Sequence, residues 1–415
     1  MIKRDILPSL IAHLNEKEIT LIVGPRQAGK TTVMLVLKEY LEKKGKKTVF
    51  LSLDNDSDRH YFKSQATLHN FIKLQLGKSY GYVFIDEIQR QENAGLFLKG
   101  LYDQNLPYKL IVSGSGSLEL KEKIHESLAG RKRIFELNTI SFKEFVHYET
   151  AYQYEDRLHD FFVHDLHNPL ALLEKYLQFG GYPKVVTDES YEAKTQSIAE
   201  IYTSYIEKDI KDLLNVQKSE LFTNLVTILA SQVGQLTNHN ELASTLGLDR
   251  ETLKNYLWYL DKTFIIRKVT PFYKNVRKEL TKSPLYYFLD IGLRNYALNR
   301  LTQFNLLTEG GYMFQNFIFR LLAEIPHTKL HMWRTKGGAE VDFVVTAGIK
   351  AVPYEAKYKE ITEPNLSKSI LSYIDQYRPN RFYIVNKSYK KMLTIAETEV
   401  HFIPYFELLG NGIVF

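Results

Sequence analysis

The chain has 415 residues, a net charge of +6, no cysteine, 44% hydrophobic residues and 13% aromatic residues. The lack of cysteine excludes disulfide scaffolds, thiolate zinc sites, iron–sulfur clusters and cysteine nucleophiles; the aromatic content excludes global disorder. No apolar run approaches the roughly 18 residues that span a membrane, and the opening MIKRDILPSL is broken by charges too early for a signal peptide. The expectation is a cytoplasmic protein of about two to four domains with no membrane contact. A charge of +6 allows an acidic partner such as nucleic acid, and it equally fits a mixed solvated surface.

Residues 1–16 read as a short amphipathic helix. Ile19 to Val23 is a compact apolar strand. A glycine-containing loop and a helix from about Thr31 to Lys44 follow, ended by Gly45. Further strands are expected at Lys47–Leu53, Tyr82–Ile85 and Leu110–Val112. Strands alternating with helical patterns predict a parallel, three-layer α/β domain over residues 1–140. Residues 141–235 turn helical, with the run Tyr202–Leu214 as one example. Residues 236–299 show two short helices around Gly247, then an apolar β-like run. Residues 300–415 form a second α/β unit, with strands at Glu340–Val345, Val352–Ala356 and Arg381–Val385. Long Gly/Ser linkers are missing, so the parts are expected to pack directly on one another.

The strongest local signal is Gly24-Pro25-Arg26-Gln27-Ala28-Gly29-Lys30-Thr31, followed by Thr32. It matches GxxxxGK[ST] and sits between a strand and a helix, as a phosphate-binding loop requires. The glycines let backbone N–H groups converge on phosphate oxygens, and the helix N-terminus faces the anion. Lys30 would reach the β- and γ-phosphates, and the Thr31 hydroxyl would bind Mg²⁺. Val83-Phe84-Ile85-Asp86-Glu87 ends a strand in an acidic pair, at the sheet edge where open α/β sheets bind ligands. Asp86 would hold the Mg²⁺ shell, and Glu87 would orient or deprotonate the attacking water. Ser113 either senses the γ-phosphate or makes an ordinary strand-end turn. Arg131 is the candidate cation for developing γ-phosphate charge; its action within or between subunits, or as part of a solvated basic turn, stays open. The implied ligands are ATP and Mg²⁺.

With these motifs in place the chain resembles a large prokaryotic family of AAA-like P-loop ATPases that carry a C-terminal domain of unknown function. The likeness rests on GPRQAGKTT at 24–32, FIDEIQ at 84–89, SGSGS at 113–117 and SLAGR at 127–131. It continues through GGYP at 180–183, YIEKDI at 205–210, YFLDIGLRNY at 287–296 and AEVDFVV at 339–345. The resemblance implies ATP binding and hydrolysis, and a winged helix at 236–299. There, Asn240 to Leu257 reads as helix, Gly turn and helix, with Phe264–Val269 as a possible wing. If the second helix enters a DNA groove, Arg250, Lys254 and Asn255 face phosphates or bases, and Lys274, Arg277 and Lys278 make a basic wing. A protein-binding winged helix is the alternative, and Asp249 and Glu251 count against a phosphate-facing surface.

At the C-terminus, Asp342 and Glu355-Ala356-Lys357 look like the D…ExK signature of a restriction-endonuclease-like fold. Two carboxylates and a lysine on neighbouring strands would hold a second Mg²⁺ and a water. Gln315 stands where related sequences often carry Glu, and a neutral amide is a poorer ligand for a hard cation. Glu309 and Glu324 are possible substitutes. Arg334 and Lys336 would contact a phosphate backbone or cap a solvated turn. An active nuclease, a degenerate DNA-binding domain and a partner-binding domain all remain open. The expected function is ATP-dependent action on DNA, with a nucleotide-dependent switch for protein partners as the alternative; a homo-oligomer fits either.

Overall fold

The computed structural model describes residues 1–77, 79–104, 106–115, 128–165, 167–205, 219–272, 283–301 and 306–410. The chain begins with a shorter helix than expected, Leu7–Ala12, with Pro8 in its first turn and a 3₁₀ turn, His13–Asn15, after it. Five strands then form one parallel sheet: β1 (Ile19–Gly24), β2 (Lys47–Ser52), β3 (Gly81–Asp86), β4 (Tyr108–Ser115) and β5 (Lys132–Glu136). Their order is β2-β3-β4-β1-β5. β1, β3 and β4 are buried along their whole length, as strands covered on both faces must be. The helix Lys30–Lys43 follows β1 directly. This is the parallel P-loop NTPase fold expected from the sequence, with β5 added at the edge.

Helices follow from Phe142 to Ser231, among them Phe142–Glu149, His167–Phe179 and Tyr191–Thr203. Most of the expected Tyr202–Leu214 run lies outside the described residues. Two short helices, His239–Leu246 and Arg250–Lys262, meet at Gly247. Gly247 has φ +62°, a left-handed turn that glycine makes at little cost. Asp249 then caps the second helix by accepting from the N–H groups of Glu251 and Thr252, satisfying donors that have no partner inside the helix.

The C-terminal half is built on an eight-stranded mixed sheet of order β12-β13-β11-β10-β9-β8-β6-β7. Its strands are β6 (Ile266–Pro271), β7 (Leu285–Phe288), β8 (Lys329–Arg334), β9 (Glu340–Ala347), β10 (Lys350–Ala356), β11 (Arg381–Asn386), β12 (Lys391–Ile395) and β13 (Thr398–Pro404). β6, most of which falls in the Phe264–Val269 run read as a possible wing, pairs antiparallel with β7. β6 also pairs in parallel with β8, through Thr270–His331 and Pro271–Met332. The sheet therefore runs across the expected 299/300 boundary. The halves pack on one another: Phe142, on the first helix after β5, stacks edge-on against Phe317 at 5.2 Å and Tyr405 at 5.9 Å. Among the described residues, no helix is long and apolar enough to cross a membrane.

Candidate functional site

The loop Gly24–Gly29 leaves β1 at its C-terminal edge. Gln27 and Gly29 adopt positive φ, +57° and +93°, which curls the backbone around the start of the next helix. Gly24 is required by closeness as well as by conformation, since a Cβ there would run into the Leu137 carbonyl oxygen. Pro25 and Ala28 are buried, Arg26 and Gly29 half-buried, Gln27 and Thr32 exposed. Lys30 is buried, and its ammonium donates to the carbonyls of Gly24 (3.1 Å) and Pro25 (2.9 Å). The amine is thus held over the loop that the motif assigns to phosphate.

The acidic pair completes this edge. Thr31 Oγ1 donates to Asp86 Oδ2 at 2.7 Å. Ser113 Oγ donates to the other oxygen of Asp86, and the N–H of Glu87 donates to Ser113 Oγ at 3.1 Å. Thr31, Asp86, Glu87 and Ser113, from three elements, therefore form one connected cluster. A hydroxyl and a carboxylate side by side at a phosphate loop are the donor set a Mg²⁺–nucleotide complex needs, so the residues present fit ATP and Mg²⁺. Glu87 is left-handed (φ +56°), an uncommon backbone state of the kind found at functional turns. It bends the chain straight after β3 and turns Glu87 away from the strand line. Gln89 anchors it: its amide donates to the Glu87 carboxylate, and its carbonyl oxygen accepts from the N–H of Ser115 at 3.2 Å.

Two contributors were not assigned to the site by the sequence. Arg4 is buried and reaches three groups: Ala28 O (2.8 Å), Asn138 O (2.6 Å) and Glu144 Oε1 (3.1 Å). It pins the back of the phosphate loop to the chain after β5. Pro183 is the second: a Cβ placed on Gly29 would lie 3.9 Å from its ring. The GGYP turn thus lies beside the phosphate loop. Its other side meets the C-terminal half. Asp290 is buried, and its carboxylate accepts from the N–H groups of Gly181 (2.9 Å) and Leu293 (3.2 Å). A Cβ on Gly180 would clash with that carboxylate, and a Cβ on Gly181 with the Ile140 carbonyl oxygen, which is why two glycines stand there. Burial raises the Asp290 carboxyl above the usual range, against the lowering effect of those N–H groups.

Arg131 does not join the cluster. It precedes Lys132, which pairs with Ile19 at the start of β1, whereas the phosphate loop leaves the end of β1 at Gly24. At about 3.3 Å per residue, the two sheet edges are about 16 Å apart. Arg131 instead pairs with Asp103, at 2.7 Å and 3.3 Å. This geometry does not bring Arg131 to the phosphate loop of its own chain.

The C-terminal carboxylates do come together. Asp342 on β9 accepts from the N–H of Ala356 (2.8 Å) and from Gln315 Nε2 (2.9 Å). Glu355 on β10 accepts from the N–H of Asp342 (3.3 Å) and from Lys357 Nζ (2.6 Å). Burial and the mutual charge of the pair push the Asp342 carboxyl well above the usual range. Burial raises Glu355 as well, against the attraction of Lys357. Burial lowers the Lys357 amine, but Glu355 outweighs that and leaves it raised. A cavity of about 470 Å³ opens beside Asp342, bounded by Gly234, Tyr312, Gln315 and Glu340. The substitutes are committed elsewhere. Glu309 is paired with Arg294 and Arg300, and Glu324 with Arg320. Among the described residues, no group of three His, Cys, Asp or Glu is placed to hold a metal. Arg334 pairs with Glu340 at 3.4 Å, while Lys336 is exposed on the turn.

Arg250, Lys254 and Asn255 all lie exposed on the second of the two short helices, whose other face buries Leu253, Tyr256, Leu257 and Leu260. Lys274, Arg277 and Lys278 fall outside the described residues.

Against known families, residues 16–146 match the AAA domain. Residues 170–303 match a domain of unknown function (DUF8612), and residues 310–407 match another (DUF4143). An uncharacterized protein of Mycobacterium tuberculosis is 29% identical over 99% of this chain and 86% of its own length. One of Methanocaldococcus jannaschii is 24% identical over 91% and 86%. Among solved structures, the Aeropyrum pernix Orc1 protein in complex with DNA aligns over 72% of this chain and 91% of its own, at 14% identity and a TM-score of 0.30. AMPPCP-bound DnaA from Aquifex aeolicus aligns over 62% and 86%, at 15% identity and a TM-score of 0.28.

Proposed function

We propose that the protein hydrolyses ATP with Mg²⁺ and that nucleotide state governs how its C-terminal half engages DNA. Lys30 and the loop N–H groups bind the phosphates. Thr31 and Asp86 hold the metal ion, which supplies charge neutralisation at the transferred phosphoryl group. Glu87, steered by Gln89, accepts the proton of the attacking water. Ser113 links Asp86 to Glu87 and responds to whatever they bind. Arg131 lies at the far sheet edge, so any action on a γ-phosphate is on a neighbouring copy's.

The observation that carries the reading is the GGYP turn. Pro183 lies beside the phosphate loop, and Gly181 is hydrogen-bonded to Asp290, which begins the segment after β7. This proximity gives a short route from the loop to the strand pair that follows the exposed Arg250–Asn255 helix. That helix, preceded by a tight turn and followed by a hairpin, is built as a DNA-reading winged helix is. The nearby Asp342–Glu355–Lys357 set, with Gln315 in the third position, supports a nuclease-like domain that has lost a metal ligand.

The test is DNA affinity measured with ADP and with a non-hydrolysable ATP analogue, over a range of salt. The reading expects affinity to differ between nucleotides and to fall steeply with salt, as counterion release requires. It expects Asp290→Ala to erase the nucleotide difference. Equal affinity in both states would sink the coupling. No DNA affinity at low salt would leave the protein-partner switch, which the exposed Glu251 on the same helix favours.

A further inference from the structure

A cavity of about 480 Å³ opens between the Arg250–Lys262 helix and the β6–β7 hairpin. Its volume lies within the range of about 300–1,000 Å³ typical of small-ligand pockets. Its walls are chemically divided. One side carries Trp258, 41% exposed, beside the buried Leu257. The mouth carries Lys254 and Lys268, both exposed. Neither lysine is in an ion pair among the described residues. Both lie close enough to His239, in the cavity wall, to act on its charge: burial first, then Lys268 and Lys254, lower its imidazole pKa. Its Nε2 shares a hydrogen bond with the Tyr286 hydroxyl at 3.1 Å. Among the described residues, Asp261 is the only acid in the wall. It accepts from the N–H of Lys268 at 3.2 Å and sits 3.9 Å from Arg267, and its charge is shared among Arg267, Lys262 and Lys268.

An exposed indole, a neighbouring leucine and two lysines outside any ion pair among the described residues, all lining one cavity, match one chemistry well. An unstacked base lies on the indole, and its phosphate sits between the amines. A duplex groove does not need such a pocket, because its bases are already stacked inside. We propose that this cavity takes one unstacked nucleotide of single-stranded DNA and so makes the protein prefer single-stranded or locally opened DNA over closed duplex. The proposal rests on the DNA reading above and adds its substrate class.

The chain suits a direct test. It contains two tryptophans, and Trp333 is buried at 2% exposure. A base stacking on Trp258 quenches its emission, while Trp333 reports that the fold is intact. The wild-type protein is titrated with an oligo-dT strand, a hairpin duplex of equal nucleotide count, the matching oligo-U strand and free dTMP. Anisotropy of labelled DNA is followed in parallel. The expected result is quenching by oligo-dT and none by the duplex. Trp258→Ala should weaken oligo-dT binding about 10-fold, from the size of one base–aromatic stack, while leaving duplex binding unchanged. Trp258→Phe should lose the quench and keep most of the affinity. Equal quenching by oligo-U widens the ligand to single-stranded nucleic acid without moving the site. Quenching by dTMP alone, with no gain from the strand, overturns the DNA-strand proposal in favour of a mononucleotide site. Tight duplex binding with no single-strand quench, or a Trp258→Ala variant that binds oligo-dT as the wild type does, overturns it while sparing the DNA reading. Absence of binding to every DNA overturns both.

Discussion

The phosphate-loop edge and the Asp342–Glu355 edge are both places where a sheet gathers charged side chains, but they are built on different terms. At the first, each carboxylate is met by a donor: Asp86 by the hydroxyls of Thr31 and Ser113, Glu87 by the amide of Gln89. At the second, two carboxylates face each other across β9 and β10; burial raises both, and the charge of Glu355 raises Asp342 further. The first is a site whose residues already fit the ligand. The second is under electrostatic load, relieved by Lys357 and by Gln315, whose amide donates where a third carboxylate would repel. A neutral residue in the expected ligand position is thus a stabilising feature of the C-terminal site and a handicap for cation binding.

The largest effect separating the two regions should be on turnover. Lys30→Ala and Glu87→Gln are each expected to lower ATP hydrolysis at least about 100-fold, the scale of losing one charge-stabilising or proton-transfer group. Phosphate release measures this. Glu87→Gln should still bind a fluorescent ATP analogue, whereas Asp342→Asn should leave hydrolysis near wild type. Parallel losses in Glu87→Gln and Asp342→Asn would erase the distinction between the sites.

Arg4→Ala comes next. It leaves Glu144 buried beside an orphaned loop carbonyl, and breaking a buried ion pair costs about 3 kcal/mol. Thermal unfolding should show the drop, and nucleotide affinity should weaken with it. A variant with the wild-type Tm would show that the loop does not depend on its back support.

Gln315→Glu should destabilise by about 2 kcal/mol without divalent cation, because it adds a charge against Asp342. Mg²⁺ or Mn²⁺ should recover that loss in a thermal shift. Recovery would identify the C-terminal set as a cation site short of one ligand; a loss that no cation recovers would assign it to structure alone.

The smallest expected effect concerns pH. Asp342 titrates higher in the folded protein than in the unfolded chain. The native state therefore binds more protons between those two values, and stability falls as pH rises from the ordinary carboxylate range to the raised one. Asp342→Asn removes this slope and should stabilise at pH 7 by about 1 kcal/mol. Unfolding free energies across pH 4–8 check the sign. A variant less stable than wild type at pH 7 would contradict the electrostatic account.

These differences also explain what the sequence discloses. The phosphate loop, Asp86-Glu87 and the strands before them are contiguous, and each strand is an apolar run, so they are legible. β5 is not: four of its five residues, Lys132, Arg133, Ile134 and Glu136, are at least partly exposed, so it has no apolar run to read. β12 and β13 were missed for a related reason, since β12 has no buried residue and β13 is buried only at alternate positions. Arg4 lies 20 residues before the loop it supports and reads as one more basic residue near the start. The motifs GGYP and YFLDIG stand out in the sequence. Their meaning, a glycine pair shaped to receive Asp290, appears only when residues 109 apart are brought together. Asp342, Glu355 and Lys357 were legible as a pattern, but the shape of the cavity beside them is set by Gly234 and Tyr312, which carry no motif.

The most direct test of the central claim is steady-state ATP turnover by the wild type and Glu87→Gln, each with no DNA, with single-stranded DNA and with duplex. The account predicts turnover that DNA stimulates in the wild type and that Glu87→Gln abolishes under all three conditions. Turnover indifferent to every DNA, or unchanged by Glu87→Gln, would contradict it.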